Sequence, residues 1–161
     1  MEEVLKKLNE LQIQYDMIEH IPVYTIEEME NLGPDYFKGA HICKNLFLRD
    51  AKGKRHFLVI IGQDKKADIK SLETQIGCTR LSFASPERLD KYLKLQKGSV
   101  TPFGLINDTE KQVEVVIDKD LKKEKKLGFH PNINTATVLI TFNDLEKFLN
   151  AQKNKVTYIN V

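Results

Sequence analysis

Lys44-Asn45, the stretch Gly98-Ser99-Val100-Thr101-Pro102-Phe103-Gly104-Leu105, and Gly128-Phe129-His130-Pro131 with Asn134-Thr135 concentrate the groups in this chain that can hold or attack a substrate. A lysine can contact a phosphate as a mobile point charge, and the asparagine beside it offers both a donor and an acceptor. Two glycines and a proline between 98 and 104 mark backbone shaped for close approach, where main-chain amides and carbonyls do the work. His130 is held in a turn with Gly128, Asn132 and Asn134, which can fix its ring towards a ligand. Thr135 and Thr137 add hydroxyls.

Other chemistries fit less well. Cys43 is the competing candidate as a nucleophile, but a thiol needs a partner imidazole and an orienting group. His41, two residues away, shares a strand face with it without the geometry of a dyad. Cys78 reads as packing, His20 as surface or packing, and His56 as a hydrogen-bonded strand histidine. The four histidines and two cysteines are scattered, and no pattern has metal-ligand spacing, so no metal or cofactor is expected. Walker and dinucleotide fingerprints are absent. Any nucleic-acid contact falls to Lys65, Lys66 and Lys70, to residues 52–56, or to the five lysines within 119–126. A basic strip around a small pocket suits a phosphate-bearing substrate better than duplex DNA.

The net charge of +2 argues against a general nucleic-acid coat protein. Two cysteines make no disulfide framework, and no apolar run reaches the roughly 18 residues of a membrane span. The first residues, with two glutamates, do not read as a secretory signal. These features point to the cytoplasm and to no membrane partner.

Apolar spacing predicts helices over 2–13, from Thr25 to about Asn31 with Thr25 and Glu28 as a capping box and Gly33-Pro34 as the stop, from Asp68 or Lys70 to Gly77, from Ser85-Pro86 to before Gly98, and after Asn143 as cap. Extended segments are predicted at Tyr15–Glu19, in a hairpin of Leu46–Arg49 with Arg55–Ile61, and at 80–83, 113–117, 137–141 and 156–161. Lys44 then falls just ahead of a strand. The whole reads as one α/β domain over 1–161, a mixed, mostly antiparallel curved sheet, barrel-like and wrapped by helices.

In order and spacing, Cys43-Lys44-Asn45-Leu46-Phe47, Gly98 to Gly104 and Gly128-Phe129-His130-Pro131 with Asn134-Thr135-Ala136-Thr137 resemble the YbaK/prolyl-tRNA-synthetase-associated editing domains. More narrowly the chain is similar to their free-standing ProX or PrdX type, which hydrolyses mischarged alanyl-tRNA(Pro). The resemblance implies that Lys44 holds the terminal nucleotide of the tRNA and that Asn45 supports the aminoacyl-adenosine end. It implies that the backbone from Gly98 to Pro102 orients the ester and the attacking water, and that His130 borders the aminoacyl pocket. Ser99, Val100, Thr101, Phe103, Gly104, Gly128, Phe129, Asn134 and Thr135 would complete the substrate surface. The implied partner is the acceptor end of tRNA(Pro), with prolyl-tRNA synthetase or an elongation factor as candidate transient partners. Rival functions are an editor of serine or cysteine mischarged on tRNA, and a tRNA-binding module without turnover.

Overall fold

The computed structural model describes residues 1–33 and 35–161, and of Ile26 only the backbone. In chain order the elements are α1 (Glu2–Glu10), β1 (Asp16–Glu19), α2 (Ile26–Glu30), β2 (His41–Arg49), β3 (His56–Gly62), α3 (Ile69–Ile76), β4 (Ser82–Phe83), α4 (Pro86–Leu93), β5 (Val113–Asp118), β6 (Leu127–Phe129), β7 (Ala136–Ile140), α5 (Phe142–Gln152) and β8 (Val156–Ile159). Two 3₁₀ helices, Pro102–Asn107 and Lys119–Lys123, occupy stretches without a predicted element.

The eight strands form one mixed sheet in the order β1-β7-β6-β2-β3-β5-β8, with β4 paired to β2. Pairings β1–β7, β2–β3, β2–β4 and β6–β7 are antiparallel, while β2–β6, β3–β5 and β5–β8 are parallel. Among the described residues no ladder joins β1 to β8, so the barrel-like closure expected from the sequence is not formed by hydrogen-bonded strands. The near-continuous apolar run of β3 is buried along its whole length, as a strand with neighbours on both edges and cores on both faces must be. Its alternation splits the interior. Leu58 and Ile60 join the larger core under α1, α4 and α5, and Phe57, Val59 and Ile61 join the smaller one under α3.

Helix signals follow side-chain chemistry. Thr25 accepts from the Glu28 N–H at 3.1 Å, Glu28 reaches back to the Tyr24 N–H, Asp68 caps α3 through the Ser71 N–H, and Ser85 caps α4 ahead of Pro86. Gly77 ends α3 at φ +77°. Pro34, part of the predicted stop after α2, lies outside the described residues. α5 is capped by Thr141, which accepts from the Asp144 N–H, rather than by Asn143, because the helix begins directly where β7 ends. No described helix is long and apolar enough to cross a membrane.

Candidate active site

The site is opened by an interruption in strand pairing along β2. One edge of β2 is paired with β3 from Cys43 to Arg49. The other edge is shared: β6 holds only His41 and Ile42, and β4 only Leu48 and Arg49. Between these two partners, among the described residues, the strand has a free edge. The Ile42 carbonyl accepts from Gln63, just beyond β3, and the Phe47 carbonyl accepts from Ala84, just beyond β4. Backbone groups of alternate residues point to alternate edges, so the N–H and C=O of Asn45 face the gap.

A cavity of about 530 Å³ fills this gap, within the roughly 300–1,000 Å³ typical of small-ligand sites. Its walls are β2 from Ile42 to Phe47, Gly128 to His130, Thr137 of β7, residues 23–25 with Met29, the β4–α4 junction, and Lys97, Gly98 and Val100. Two rim side chains, Tyr24 and Phe83, are 62% and 67% exposed, uncommon values for aromatics of this size.

Lys44 lies inside β2, opposite Ile61, rather than ahead of the strand. Its period-2 neighbours Leu46 and Leu48 belong to the smaller core, whereas Cys43 and Phe47, on the Asn45 face, belong to the larger one. The Lys44 ammonium donates to the Lys65 carbonyl, which leaves two of its three donors for another acceptor. The Asn45 amide nitrogen makes a long 3.5 Å contact to the Cys43 carbonyl, and its Oδ1 is buried without a hydrogen-bond partner. Groups left this way cost free energy until a donor arrives.

His130 Nδ1 lies 3.0 Å from the Ala136 carbonyl. A carbonyl only accepts, so Nδ1 carries the proton and Nε2 remains an acceptor. Burial, which outweighs the Ala136 bond, pushes the ring's pKa below its usual range and favours this neutral form. Burial also pushes the Cys43 thiol far up, and His41 turns its nitrogens to Asp64 at 3.3 Å and Glu124 at 3.6 Å. Cys43 is a buried wall residue with no imidazole to activate it.

The glycine–proline stretch is divided. Gly98 and Val100 line the cavity, and Gly98 has φ +91°. A Cβ there would lie 3.0 Å from Tyr24 Cδ1 and 3.3 Å from Tyr24 Cα, so the glycine admits the rim segment. Ser99 lies outside the lining, its N–H donating to Gln96. Thr101, Pro102, Phe103 and Gly104 are buried, and the cavity does not reach them. Thr101 caps the 3₁₀ helix begun by Pro102, Phe103 packs edge-on to Phe129 and Phe148, and Gly104 makes room for Leu95. These four brace the cavity from behind.

Gly128 and Phe129 form part of the wall, in a three-residue strand where the sequence suggested a loop. A Cβ on Gly128 would come within 2.5 Å of Ile42 Cδ1 and 3.1 Å of Thr137 Cγ2, so glycine lets β6 lie between β2 and β7 without displacing those side chains. Asn134 and Thr135 stand outside the lining; their carbonyls accept from Val23 and His20 and fasten the rim segment. Sequence reading set His20 aside, yet its Nε2 lies 2.8 Å from the Thr137 hydroxyl, in the cavity wall. The folding of residue 20 against residue 137 leaves no local pattern that could have revealed this.

Of the basic candidates, Lys65 is committed to Asp118 and Asp120 at 2.6 and 2.7 Å and Lys126 to Asp16, while the Lys122 ammonium lies over the Phe142 and Tyr158 rings. Lys97 is exposed at the rim. Among the described residues no cluster of three or more His, Cys, Asp or Glu side chains could hold a metal ion.

Comparison with known proteins agrees with the geometry. The chain is 54% identical over 151 residues to the Prolyl-tRNA editing protein ProX of Acetoanaerobium sticklandii, covering 94% of this chain and 91% of that protein. It is 38% identical to Prolyl-tRNA synthetase associated domain-containing protein 1 of Danio rerio, over 92% of this chain and 79% of the relative. A solved structure of a proposed trans-editing enzyme for prolyl tRNA synthetase superposes with a TM-score of 0.71 at 16% identity, covering 99% of this chain and 96% of that one, a likeness of fold. The aminoacyl-tRNA editing domain model matches residues 20–148, and the chain belongs to that family.

Proposed function

We propose that this chain is an aminoacyl-tRNA deacylase that hydrolyses the ester of alanine mischarged onto tRNA(Pro). The observation that carries the reading is the interrupted edge of β2, which turns the Asn45 main chain into a cavity of ligand size. Family membership supports the reaction class, and the printed name of the 54% identical relative supports tRNA(Pro) as the adaptor.

An aminoacyl ester is already activated, so its hydrolysis needs a placed water and donors aimed at the developing oxyanion. The Asn45 N–H is such a donor. The neutral His130 and the Gly98–Val100 backbone border the space where ester and water meet, and the ribose 2′-hydroxyl beside the ester assists the water. Lys44, with two donors unspent, and Lys97 at the rim hold the terminal phosphates. Tyr24 and Phe83 give unpaired acceptor-end bases faces to stack on. No enzymic nucleophile is required, in keeping with a buried, unactivated Cys43.

Selectivity has a physical basis as well. A synthetic pocket for proline rejects the smaller alanine by only about 1–3 kcal/mol, and a second site that admits alanine and excludes the prolyl ring corrects the error. The test is deacylation of alanyl-, seryl-, cysteinyl- and prolyl-tRNA(Pro), beside alanyl-tRNA(Ala), by the purified protein. Rapid loss of alanine from tRNA(Pro) with prolyl-tRNA(Pro) spared is the expected result. Preferential loss of serine or cysteine would move the specificity, and tRNA binding without hydrolysis of any ester would overturn the reading.

A further inference from the structure

Lys44 and Lys65 are joined end to end. The Lys44 ammonium donates to the main-chain carbonyl of Lys65, and among the described residues none of the ion pairs includes Lys44. Lys65 itself stands outside the cavity lining, in the turn between β3 and α3. Its N–H donates to the Gly62 carbonyl at 3.1 Å, and the Gln63 N–H donates to the Ile42 carbonyl at 3.2 Å, which ties the start of the turn to β3 and β2. Outside a strand ladder, a carbonyl keeps its direction only as far as its residue is anchored.

The Lys65 side chain supplies that anchor. Its three N–H donors meet three acceptors: Asp118 Oδ2 at 2.6 Å, Asp120 Oδ2 at 2.7 Å and the Val161 main-chain oxygen at 3.2 Å. Asp118 is 1% exposed and ends β5, a strand paired with β3 on one side and β8 on the other. The second oxygen of Asp118 accepts from the Asp120 N–H at 3.0 Å, so this carboxylate is fixed as well. The His41–Asp64 contact in the same turn is 3.3 Å long and ends on a carboxylate that is 69% exposed, a weak restraint beside the buried one. With every donor spent inside the protein, the Lys65 ammonium has none left for a ligand. What it controls is the place of its own carbonyl.

We propose that Lys65 is a positioning residue for Lys44: its side chain, locked to Asp118 and Asp120, holds its carbonyl where that carbonyl orients the Lys44 ammonium for the terminal phosphates of the substrate. The inference rests on the role given to Lys44 in the deacylase reading and adds the group that sets its direction. The long Lys44 stem is thereby ordered before the ligand arrives rather than on its arrival.

The experiment is a binding cycle with uncharged tRNA(Pro). It uses the wild-type protein, Lys65→Met with Asp118→Asn, Lys44→Ala, and all three substitutions together. The paired replacement removes one positive and one negative charge, so the long-range attraction for tRNA is kept. With Lys44 present it should raise Kd about 3- to 10-fold, the cost of immobilising one long side chain on binding. In the Lys44→Ala background it should change Kd by less than about twofold, the scatter of independent sites. A purely structural role would weaken binding by the same factor in both backgrounds and overturns the proposal. So does wild-type affinity in Lys44→Ala, which leaves Lys65 nothing to act through. The slope of log Kd against log salt should be equal in Lys44→Ala and the triple variant; a shallower slope in the triple variant would mean that Lys65 meets a phosphate itself, and overturns the proposal too. Should the paired replacement fail to fold, Asp120→Asn, at a half-exposed carboxylate, goes through the same cycle and is read in the same way. Hydrolysis of alanyl-tRNA(Pro) by the wild-type protein is measured alongside. Its absence overturns the deacylase reading, while the binding cycle still decides for Lys65.

Discussion

Replacing Gly98 by alanine should separate the geometry of the cavity from the stability of the fold, because Gly77 provides a matched control. Both glycines have left-handed backbone, φ +91° at Gly98 and +77° at Gly77. A side chain in that region costs about 1–2 kcal/mol. Around Gly77 a new Cβ meets nothing within 4 Å, so Gly77→Ala should lose that amount alone, a fall in Tm of roughly 2–8 °C for a chain of this size. At Gly98 the same methyl also meets Tyr24 Cδ1 at 3.0 Å and Tyr24 Cα at 3.3 Å. The ring edge can rotate away, but the Cα can yield only by moving the segment that carries Thr25 and the start of α2. Overpacking of this kind adds about 1 kcal/mol at a rim that can relax. The larger effect falls on catalysis, since a misplacement of about 1 Å can cost on the order of 100-fold in rate. Thermal melts and single-turnover deacylation of alanyl-tRNA(Pro) should therefore show Gly98→Ala less stable than Gly77→Ala by only about 1 kcal/mol, with a drop of roughly 10- to 100-fold in rate for Gly98→Ala only. Full activity in Gly98→Ala would refute the reasoning, for it would mean that the close approach of Tyr24 to Gly98 serves packing and not the site.

Asn45→Ala should lose most of the turnover, about tenfold or more, with a change in stability below about 1 kcal/mol, because its Oδ1 has no partner to lose; urea unfolding beside the deacylation assay checks this, and a large loss of stability would recast Asn45 as a packing residue. Lys44→Ala should raise KM for charged tRNA and lower turnover more than Lys122→Ala, whose ammonium lies over Phe142 and Tyr158 and whose loss should act mainly through salt-dependent binding; equal small effects in the two variants would count against the assignment of Lys44. His56 is 1% exposed, and burial first, then the Arg88 guanidinium whose Nη1 sits 3.0 Å from its Nε2, pushes its pKa down to about 4 from the usual 6.5. A histidine depressed on folding stabilises the protein above its unfolded pKa, so stability should be full above about pH 6.5 and decline as pH falls towards 4. Urea unfolding across that range checks the slope, which His56→Gln should flatten if the variant folds at neutral pH.

What could be read from the sequence was what depends on neighbours along the chain. Thr25 with Glu28, Ser85-Pro86 and the near-continuous apolar run of Phe57–Ile61 each specify an element through local hydrogen bonding or local composition, and the structure places helices and a buried strand there. The capping of α5 was misplaced by two residues because Thr141 and Asn143 are both competent caps, and the end of β7 decides between them. Short β6 was missed since three residues, one of them glycine, have no period of their own; pairing on both sides makes the strand. In the site, the types were legible and the directions were not. Alternation along β2 sends Asn45 to one face and Lys44 to the other, which could be inferred only once both were known to lie within the strand. The proline of the glycine–proline stretch reads as a working loop residue, yet burial of Thr101 to Leu105 makes that half a brace. His20 gains its contact across 117 positions of sequence, beyond the reach of any local argument.

The interrupted edge of β2 also explains how a rigid fold can leave polar groups open. A free strand edge invites pairing with another chain and carries the cost of unsatisfied main-chain groups. Here the gap is short, bounded by β6 at Ile42 and β4 at Leu48, and it lies behind residues 23–25 and the start of α4, so no second strand can dock along it. The strand itself cannot shift to close the gap, because β3 holds it over seven paired positions and both of its faces feed buried cores. Asn45 is thus held by a strand paired to β3 and packed on both faces, while its main-chain N–H and C=O point towards the cavity. Preorganisation of this kind costs stability in the empty protein and returns it when a ligand supplies the missing partners. On the proposed deacylase reading, the carbonyl oxygen of an aminoacyl ester is the group that meets the Asn45 N–H at this edge, and its arrival restores a main-chain hydrogen bond that the missing strand leaves unmade.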